Sequence, residues 1–249
     1  MGNARENRRG FLKTAAVGAA AASLGTWSGV AAEAKSGVRD YQADVPFSLG
    51  LASFTTRKLS LDETIEILHK LDMKYVCLKS YHLPLDASDD VLKATRKKLA
   101  DAGIELYGGG VIYMRSPEDI EQAFHYAKTA GMEMIVGSTL AELIPAVDKK
   151  IRETGVAVAI HNHGPGDQHF PTPESVYRKI EKCDKRFGLC IDVGHTLRVG
   201  ADPVADIERF ADRLLDLHLK DVSKADASGK TIIAGRGVLD LRGVLAALK

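Results

Sequence analysis

The chain has 249 residues, of which 45% are hydrophobic and 27% are charged, and its formal net charge is +1. This composition is typical of a globular protein and provides enough apolar residues for one large domain. The absence of a basic surplus disfavours nucleic acid or an anionic membrane surface as the main partner. The three cysteines predict no disulfide framework, and we expect Cys77 and Cys190, which lie in apolar segments, to be buried and inert.

Residues 1–34 have the features of a secretory signal. Arg8 and Arg9 precede an Ala-rich run at 14–32, and a charged segment before a weakly apolar one is typical of exported proteins. The pattern R-R-x-F-L-K resembles a twin-arginine signal, which implies recognition by the twin-arginine export machinery and a periplasmic location. Ala32-Glu33-Ala34 is the preferred cleavage site and 30–32 the second. The run is poor in Leu and Ile, so we predict cleavage of residues 1–34 and no stable membrane anchor.

From residue 47 onward, the chain repeats one unit that consists of a short apolar strand, a turn and an amphipathic helix. The predicted strands begin near residues 47, 75, 104, 134, 156, 188 and 215. The third is expected to end at Gly108, where three consecutive glycines begin. The predicted helices cover 61–71, 89–102, 116–129, 140–153, 173–183, 203–213 and 239–248. Strands that alternate with helices at this spacing predict an α/β fold with a parallel sheet, and seven such units indicate a (β/α)₈ TIM barrel.

The alternative to a barrel is a doubly wound sheet. Such a sheet would carry a phosphate-binding glycine motif after its first strand, and residues 53–56, S-F-T-T, have none. The chain ends at Lys249, within the seventh predicted helix. We therefore predict an incomplete barrel over residues 46–249, in a natural sequence truncated before its eighth strand.

The segment 156–166, V-A-V-A-I-H-N-H-G-P-G, alternates as a strand does. Its β-branched residues share one face, and the other face ends in His161 and His163. Two histidines at positions i and i+2 of a strand end point into the same space, which suits metal binding. Both could instead be polar loop residues before the Gly-Pro-Gly turn.

Catalytic side chains of β/α barrels lie at the carboxyl ends of the strands. Five of the eight histidines lie at or just past these ends, namely His82, His161, His163, His195 and His218. Asp192 has the parity of Cys190 and is expected to face inward, although it could cap the following loop. His218 could be a satisfied interior histidine, and Lys79 could extend to the rim or pair with a carboxylate. We expect the other three histidines, His69, His125 and His169, to lie on the surface.

Three motifs carry a family resemblance: I-D-V-G-H at 191–195, D-L-H-L-K-D at 216–221 and G-R-G-V-L-D at 235–240. They resemble the xylose isomerase-like TIM-barrel superfamily of sugar isomerases and epimerases, over about residues 46–249. The A-I-H-N-H-G of residues 159–164 is similar to its exported branch. The resemblance implies that Asp192 and His218 are metal ligands. It also implies substrate contacts for His195 and, more weakly, for Lys220 and Arg236. The family's strand-five Glu is His161 here, and its strand-eight Glu would lie beyond Lys249.

From these residues we predict one divalent cation held by His161, Asp192 and His218. His163 would be a fourth ligand or the catalytic base, Lys79 a second catalytic residue and His82 a substrate contact. Imidazole nitrogens with one carboxylate suit Mn²⁺, Zn²⁺, Co²⁺ or Fe²⁺ better than Mg²⁺.

The expected activity is isomerisation or epimerisation of a keto-sugar, by removal of a proton next to a metal-polarised carbonyl. The histidines at the strand-five position also resemble those of keto-inositol dehydratases, which keeps a dehydratase open. A non-catalytic sugar-binding module is the third alternative. The near-neutral charge disfavours an abasic-site endonuclease of the same fold, and the chain has no dinucleotide-binding motif for an oxidoreductase.

Overall fold

The computed structural model describes residues 47–249, and the predicted signal at residues 1–34 lies outside this range. The strands are β1 (Gly50–Ala52), β2 (Tyr75–Leu78), β3 (Glu105–Met114), β4 (Met134–Thr139), β5 (Ala157–His161), β6 (Phe187–Asp192), β7 (Leu214–His218), β8 (Asp221–Val222) and β9 (Thr231–Ile232). The helices are α1 (Leu61–Lys70), α2 (Asp89–Asp101), α3 (Pro117–Ala130), α4 (Ile144–Thr154), α5 (Pro173–Ile180), α6 (Val193–Arg198), α7 (Pro203–Arg209) and α8 (Leu241–Ala247). Within residues 47–249, every helix is too short or too polar to cross a bilayer.

The first seven strands form one parallel sheet whose order follows the chain, from β1 to β7. Each strand pairs in parallel with its neighbour, and the sheet curls into a half-barrel with the helices alternating between the strands. The prediction of an incomplete β/α barrel with seven units is therefore confirmed. In the described part of the chain, β8 and β9 form a separate antiparallel hairpin just after β7.

Side chains alternate between two apolar layers. Val158 and Ile160 of β5 belong to the large core beneath the helices. Ala159 belongs to a smaller interior cluster with Val136 and Cys190. Because successive strand residues point to opposite faces, the inward position after Ala159 is His161, at the carboxyl end of β5.

Local sequence determines where several helices begin. Ser60 and Glu63 form a capping box at the start of α1, in which the Ser60 side chain accepts from the Glu63 N–H and the Glu63 carboxylate accepts from the Ser60 N–H. Ser116 caps α3, and Gly131 in the left-handed conformation ends it. These caps set where α1 and α3 begin and where α3 ends, and so contribute to the regular spacing of the strands.

The prediction that the third strand ends at Gly108 is wrong. β3 continues through three glycines to Met114, because β4 pairs with residues 108–114. Glycine is required here, since a Cβ on Gly108 would lie 2.9 Å from the Met134 carbonyl oxygen and one on Gly110 would collide with Val136. The extension carries Tyr113 to the mouth of the half-barrel. The other differences are a shorter first strand, an unpredicted α6 and the β8–β9 hairpin.

Candidate functional site

Three imidazole rings converge at the carboxyl ends of the strands. His161 ends β5 and His218 ends β7, and their ring centroids are 4.7 Å apart. The centroid of the His163 ring lies 4.5 Å from that of His161. His161 Nδ1 and His218 Nε2 are buried and have no hydrogen-bond partner within residues 47–249. The structure thus brings together the three predicted histidines and leaves two of their nitrogens available to a ligand.

Asp192 ends β6, opposite His218 in the sheet register, and its side chain is buried. Its Oδ1 accepts a hydrogen bond of 2.8 Å from the His195 backbone N–H and so caps α6. Its Oδ2 lies 3.3 Å from His161 Nε2 and 2.6 Å from Lys220 Nζ. The two interpretations of Asp192 from sequence are therefore both correct, since one oxygen caps a helix and the other faces the site.

The site contains neutral imidazoles beside an ionised carboxylate. Burial lowers the pKa of His161 and of His195 to about 4, against the opposing effect of Asp192. Burial also lowers the pKa of His163 and, with the charge of His161, that of His218. Burial alone would raise the pKa of Asp192, but the hydrogen bond from His161 and the charge of Lys220 hold it well below its usual range. At neutral pH the cluster therefore presents free nitrogen lone pairs and one negative charge.

Two predicted substrate contacts border this cluster. His195 lies on α6, with its ring centroid 5.9 Å from that of His161 and its Nε2 4.0 Å from Asp192 Oδ2. Lys220 follows β7, and its ammonium pairs with Asp192. Both side chains are partly exposed, so each is accessible from the mouth of the half-barrel.

The remaining predicted residues are not part of the cluster. Lys79, just after β2, is half-buried, and burial lowers its pKa. The nitrogens of His82 lie 3.1 Å from Ser53 Oγ and 3.0 Å from the Leu59 carbonyl oxygen, so the ring braces the segment after β1. Arg236 is exposed, and its side chain has no hydrogen bond, ion pair or ring contact within the described range. The substrate roles of His82 and Arg236 stay predictions.

Sequence reasoning missed the two partners of His163. The Tyr113 hydroxyl lies 3.0 Å from His163 Nε2, and Asp167 Oδ2 lies 3.3 Å from His163 Nδ1. Tyr113 was missed because the third strand was expected to end at Gly108. Asp167 follows the Gly-Pro-Gly turn, where no periodicity indicates the direction of a side chain.

Cys190 was expected to be inert, yet it lies directly under the site. The candidate ligand atoms of His161, Cys190 and His218 all lie within 4.8 Å of one another. Cys190 lies opposite His161 in the register of β5 and β6. The strand alternation that predicted an inward His161 could therefore have indicated that Cys190 lies beside it. Burial raises the pKa of the thiol well above its usual value, and the charges of Asp216 and Asp192 raise it further. The thiol is therefore protonated at neutral pH and is a weaker ligand than the ionised Asp192.

The residues present fit a divalent ion with a preference for nitrogen. Two neutral imidazoles with unpartnered buried nitrogens and one ionised carboxylate make a donor set typical of zinc sites that keep an open position.

The comparisons with known proteins agree with this fold. The family model described as xylose isomerase-like TIM barrel matches residues 50–249, so the chain belongs to that family. Its members include sugar isomerases, epimerases and dehydratases.

Curated relatives match shorter segments. The chain is 38% identical over 74 residues to the rhizopine catabolism protein MocC of Rhizobium meliloti, covering 30% of this chain and 22% of that protein. It is 26% identical over 127 residues to an inosose dehydratase of Lacticaseibacillus casei, covering 44% of this chain and 42% of the dehydratase. The matched segments thus span less than half of either relative.

Among solved structures, the IolI protein with a bound zinc atom has a similar fold. Its TM-score is 0.65 at 16% identity, over 81% of this chain and 84% of that one. At this identity the likeness concerns the fold alone.

Proposed function

We propose that the protein is a metal-dependent isomerase or epimerase of a keto-sugar, with a divalent ion held by His161, Asp192 and His218. The observation that carries the proposal is the meeting of two unpartnered buried imidazole nitrogens with an ionised buried carboxylate at the carboxyl ends of adjacent strands. The two imidazole nitrogens beside one carboxylate favour zinc among the candidate ions.

A bound ion would polarise a substrate carbonyl and acidify the hydrogen on the neighbouring carbon. His163 is the base in this proposal, because its ring lies beside His161 and burial keeps it neutral at pH 7. Asp167, 3.3 Å from Nδ1, would stabilise the imidazolium that forms when Nε2 accepts the proton. Tyr113, which now bonds Nε2, would turn toward a substrate hydroxyl.

A keto-inositol dehydratase is the second candidate. Its first step is the same proton removal, followed by loss of hydroxide from the next carbon. The match to inosose dehydratase over 44% of this chain favours it, as does the use of histidine rather than glutamate at residue 161. A sugar-binding module without turnover is the remaining candidate.

One experiment separates these candidates. The zinc-loaded protein is incubated with D-tagatose or 2-keto-myo-inositol in D₂O and followed by proton NMR. Incorporation of deuterium next to the carbonyl, with recovery of an isomer, supports the isomerase or epimerase. Formation of a dehydrated product supports the dehydratase. Binding without exchange, unchanged by removal of the ion with a chelator, leaves only the binding module.

We also propose that residues 1–34 direct export to the periplasm by the twin-arginine machinery, as R-R-x-F-L-K suggests. N-terminal sequencing of periplasmic protein is expected to begin at Lys35, or at Glu33 for the second cleavage site. Replacing Arg8 and Arg9 together by Lys should hold the protein in the cytoplasm. An intact Met1 on exported protein would contradict the proposal.

A further inference from the structure

A second group of charged residues lies at the mouth, on the side of β1 and β2. The Lys79 ammonium lies 5.4 Å from the centroid of the Phe54 ring, and the Arg57 guanidinium carbon lies 4.3 Å from the same centroid. Phe54 itself is 47% exposed. We call Phe54, Arg57 and Lys79 the Phe54 cation cluster.

Neither cation of the Phe54 cation cluster has an acidic partner within residues 47–249. Arg57 donates to the Phe54 carbonyl oxygen at 2.9 Å, and within the same range the Lys79 ammonium contacts only the Phe54 ring. Lys220, the next cation of the mouth, is already paired with Asp192. The ring attracts each cation, but it does not replace a counterion.

The half-burial of Lys79 makes this lack of a counterion costly. Burial lowers the pKa of Lys79, and the nearby charge of Lys220 lowers it further. An oxyanion beside the Lys79 ammonium would remove that cost through a charge-assisted hydrogen bond, and the charge of Arg57 at the same ring would strengthen its attraction. The exposed Phe54 ring would meanwhile offer an apolar surface to the carbon skeleton of a sugar.

We propose that the Phe54 cation cluster is an oxyanion subsite that binds a carboxylate or phosphate group of the substrate. The inference rests on the proposed keto-sugar function, and it narrows the substrate to an anionic keto-sugar, either a sugar acid or a sugar phosphate. Lys79 then positions the substrate through charge rather than transferring a proton.

The test compares matched acyclic ligands by isothermal titration calorimetry on the zinc-loaded protein. D-Gluconate and D-sorbitol differ in one terminal group, and sorbitol 6-phosphate supplies the other oxyanion. We expect gluconate or the phosphate to bind about tenfold more tightly than sorbitol, the gain of one charge-assisted hydrogen bond. If gluconate binds more tightly than sorbitol, the anion is a carboxylate; if sorbitol 6-phosphate does, it is a phosphate. Lys79→Gln and Arg57→Gln should each remove the preference, whereas Lys58→Gln, at the exposed neighbour of Arg57, should retain it.

Equal affinities for the charged and neutral ligands overturn the inference, as does the absence of binding by any of the three. A preference that survives Lys79→Gln and Arg57→Gln also overturns it, since the anion would then bind the metal or another group. Because Arg57 is exposed, its variant tests the inference even if Lys79→Gln folds poorly. Zinc content and deuterium exchange are measured separately, so failure of the subsite is distinguishable from failure of the proposed function.

Discussion

The Lys220 ammonium lies 2.6 Å from Asp192 Oδ2, and this contact compensates the charge of a carboxylate that has no solvent exposure. Lys220 retains 25% of its side-chain exposure, so it can move outward while Asp192 cannot. We infer that Lys220 stabilises the metal-free site and releases Asp192 when an ion binds. The first prediction follows from this exchange of partners.

Lys220→Met should lower the melting temperature of metal-free protein. Removal of one partner of a buried ion pair leaves an uncompensated charge, which costs about 3 kcal/mol. Added zinc should then raise the melting temperature more in the variant than in the wild type, because the ion restores the missing positive charge. Differential scanning calorimetry with chelator and with zinc measures both effects. Lys224→Met, at an exposed lysine nearby, is the control, and equal behaviour of the two variants would refute the exchange.

The third ligand can be identified by cobalt spectroscopy. We predict that the Co²⁺ form lacks a thiolate-to-metal charge-transfer band in the near ultraviolet, because the ionised Asp192 carboxylate between His161 and His218 supplies the third donor in place of Cys190. Cys190→Ala should keep the ion and leave the visible spectrum unchanged. A near-ultraviolet band that disappears in Cys190→Ala but persists in Cys183→Ala would show that Cys190, rather than Asp192, completes the site.

His195→Ala should retain the metal but bind the substrate more weakly. The ring lies beside the ligands without belonging to them, with its Nε2 4.0 Å from Asp192 Oδ2. Loss of one hydrogen bond predicts a Kd about tenfold higher for the keto-sugar. Zinc content and substrate titration of the same preparation check both parts. Loss of zinc in this variant would instead make His195 a ligand.

Asp206 on α7 predicts a pH dependence of stability outside the site. Burial raises its pKa to about 6, above the value of about 3.9 in an unfolded chain. A carboxyl whose pKa is raised on folding costs stability above pH 6, and the cost disappears as the pH falls through 6 toward 4.

Asp206→Asn should therefore stabilise the protein at pH 8, by about 1 kcal/mol once solvent screening of the half-exposed group is allowed for, and have little effect at pH 4. Denaturant melts at the two pH values measure the difference. Glu208→Gln, an exposed carboxylate on the same helix, makes the same change of charge and should show no such contrast.

The strand periodicity was sufficient to predict that His161 and Asp192 face the interior of the half-barrel. Alternation in β5 placed His161 inward, and the parity of Asp192 with Cys190 did the same for β6. Both predictions depend only on the twofold repeat of a strand, which tertiary contacts do not alter.

The contacts of His163 and Asp192 could not be predicted in the same way. Tyr113 reaches His163 only because β3 runs on through three glycines, which depends on its pairing with β4. Asp167 is directed by a turn, in which its Oδ1 accepts from the N–H groups of His169 and Phe170. Lys220 contacts Asp192 through a long, flexible side chain, and the alternation of a strand does not predict where the end of such a side chain lies.

The most direct test of the central claim is the zinc content of purified protein, measured by plasma mass spectrometry after dialysis, for the wild type and for Asp192→Ala and His218→Ala. We predict stoichiometric zinc in the wild type and its loss in both variants. Asp212→Ala, at an exposed aspartate that pairs with Lys185 outside the cluster, should retain the ion and serves as the control. Wild-type protein without stoichiometric metal, or Asp192→Ala that keeps it, would contradict the assignment of this cluster as a metal site.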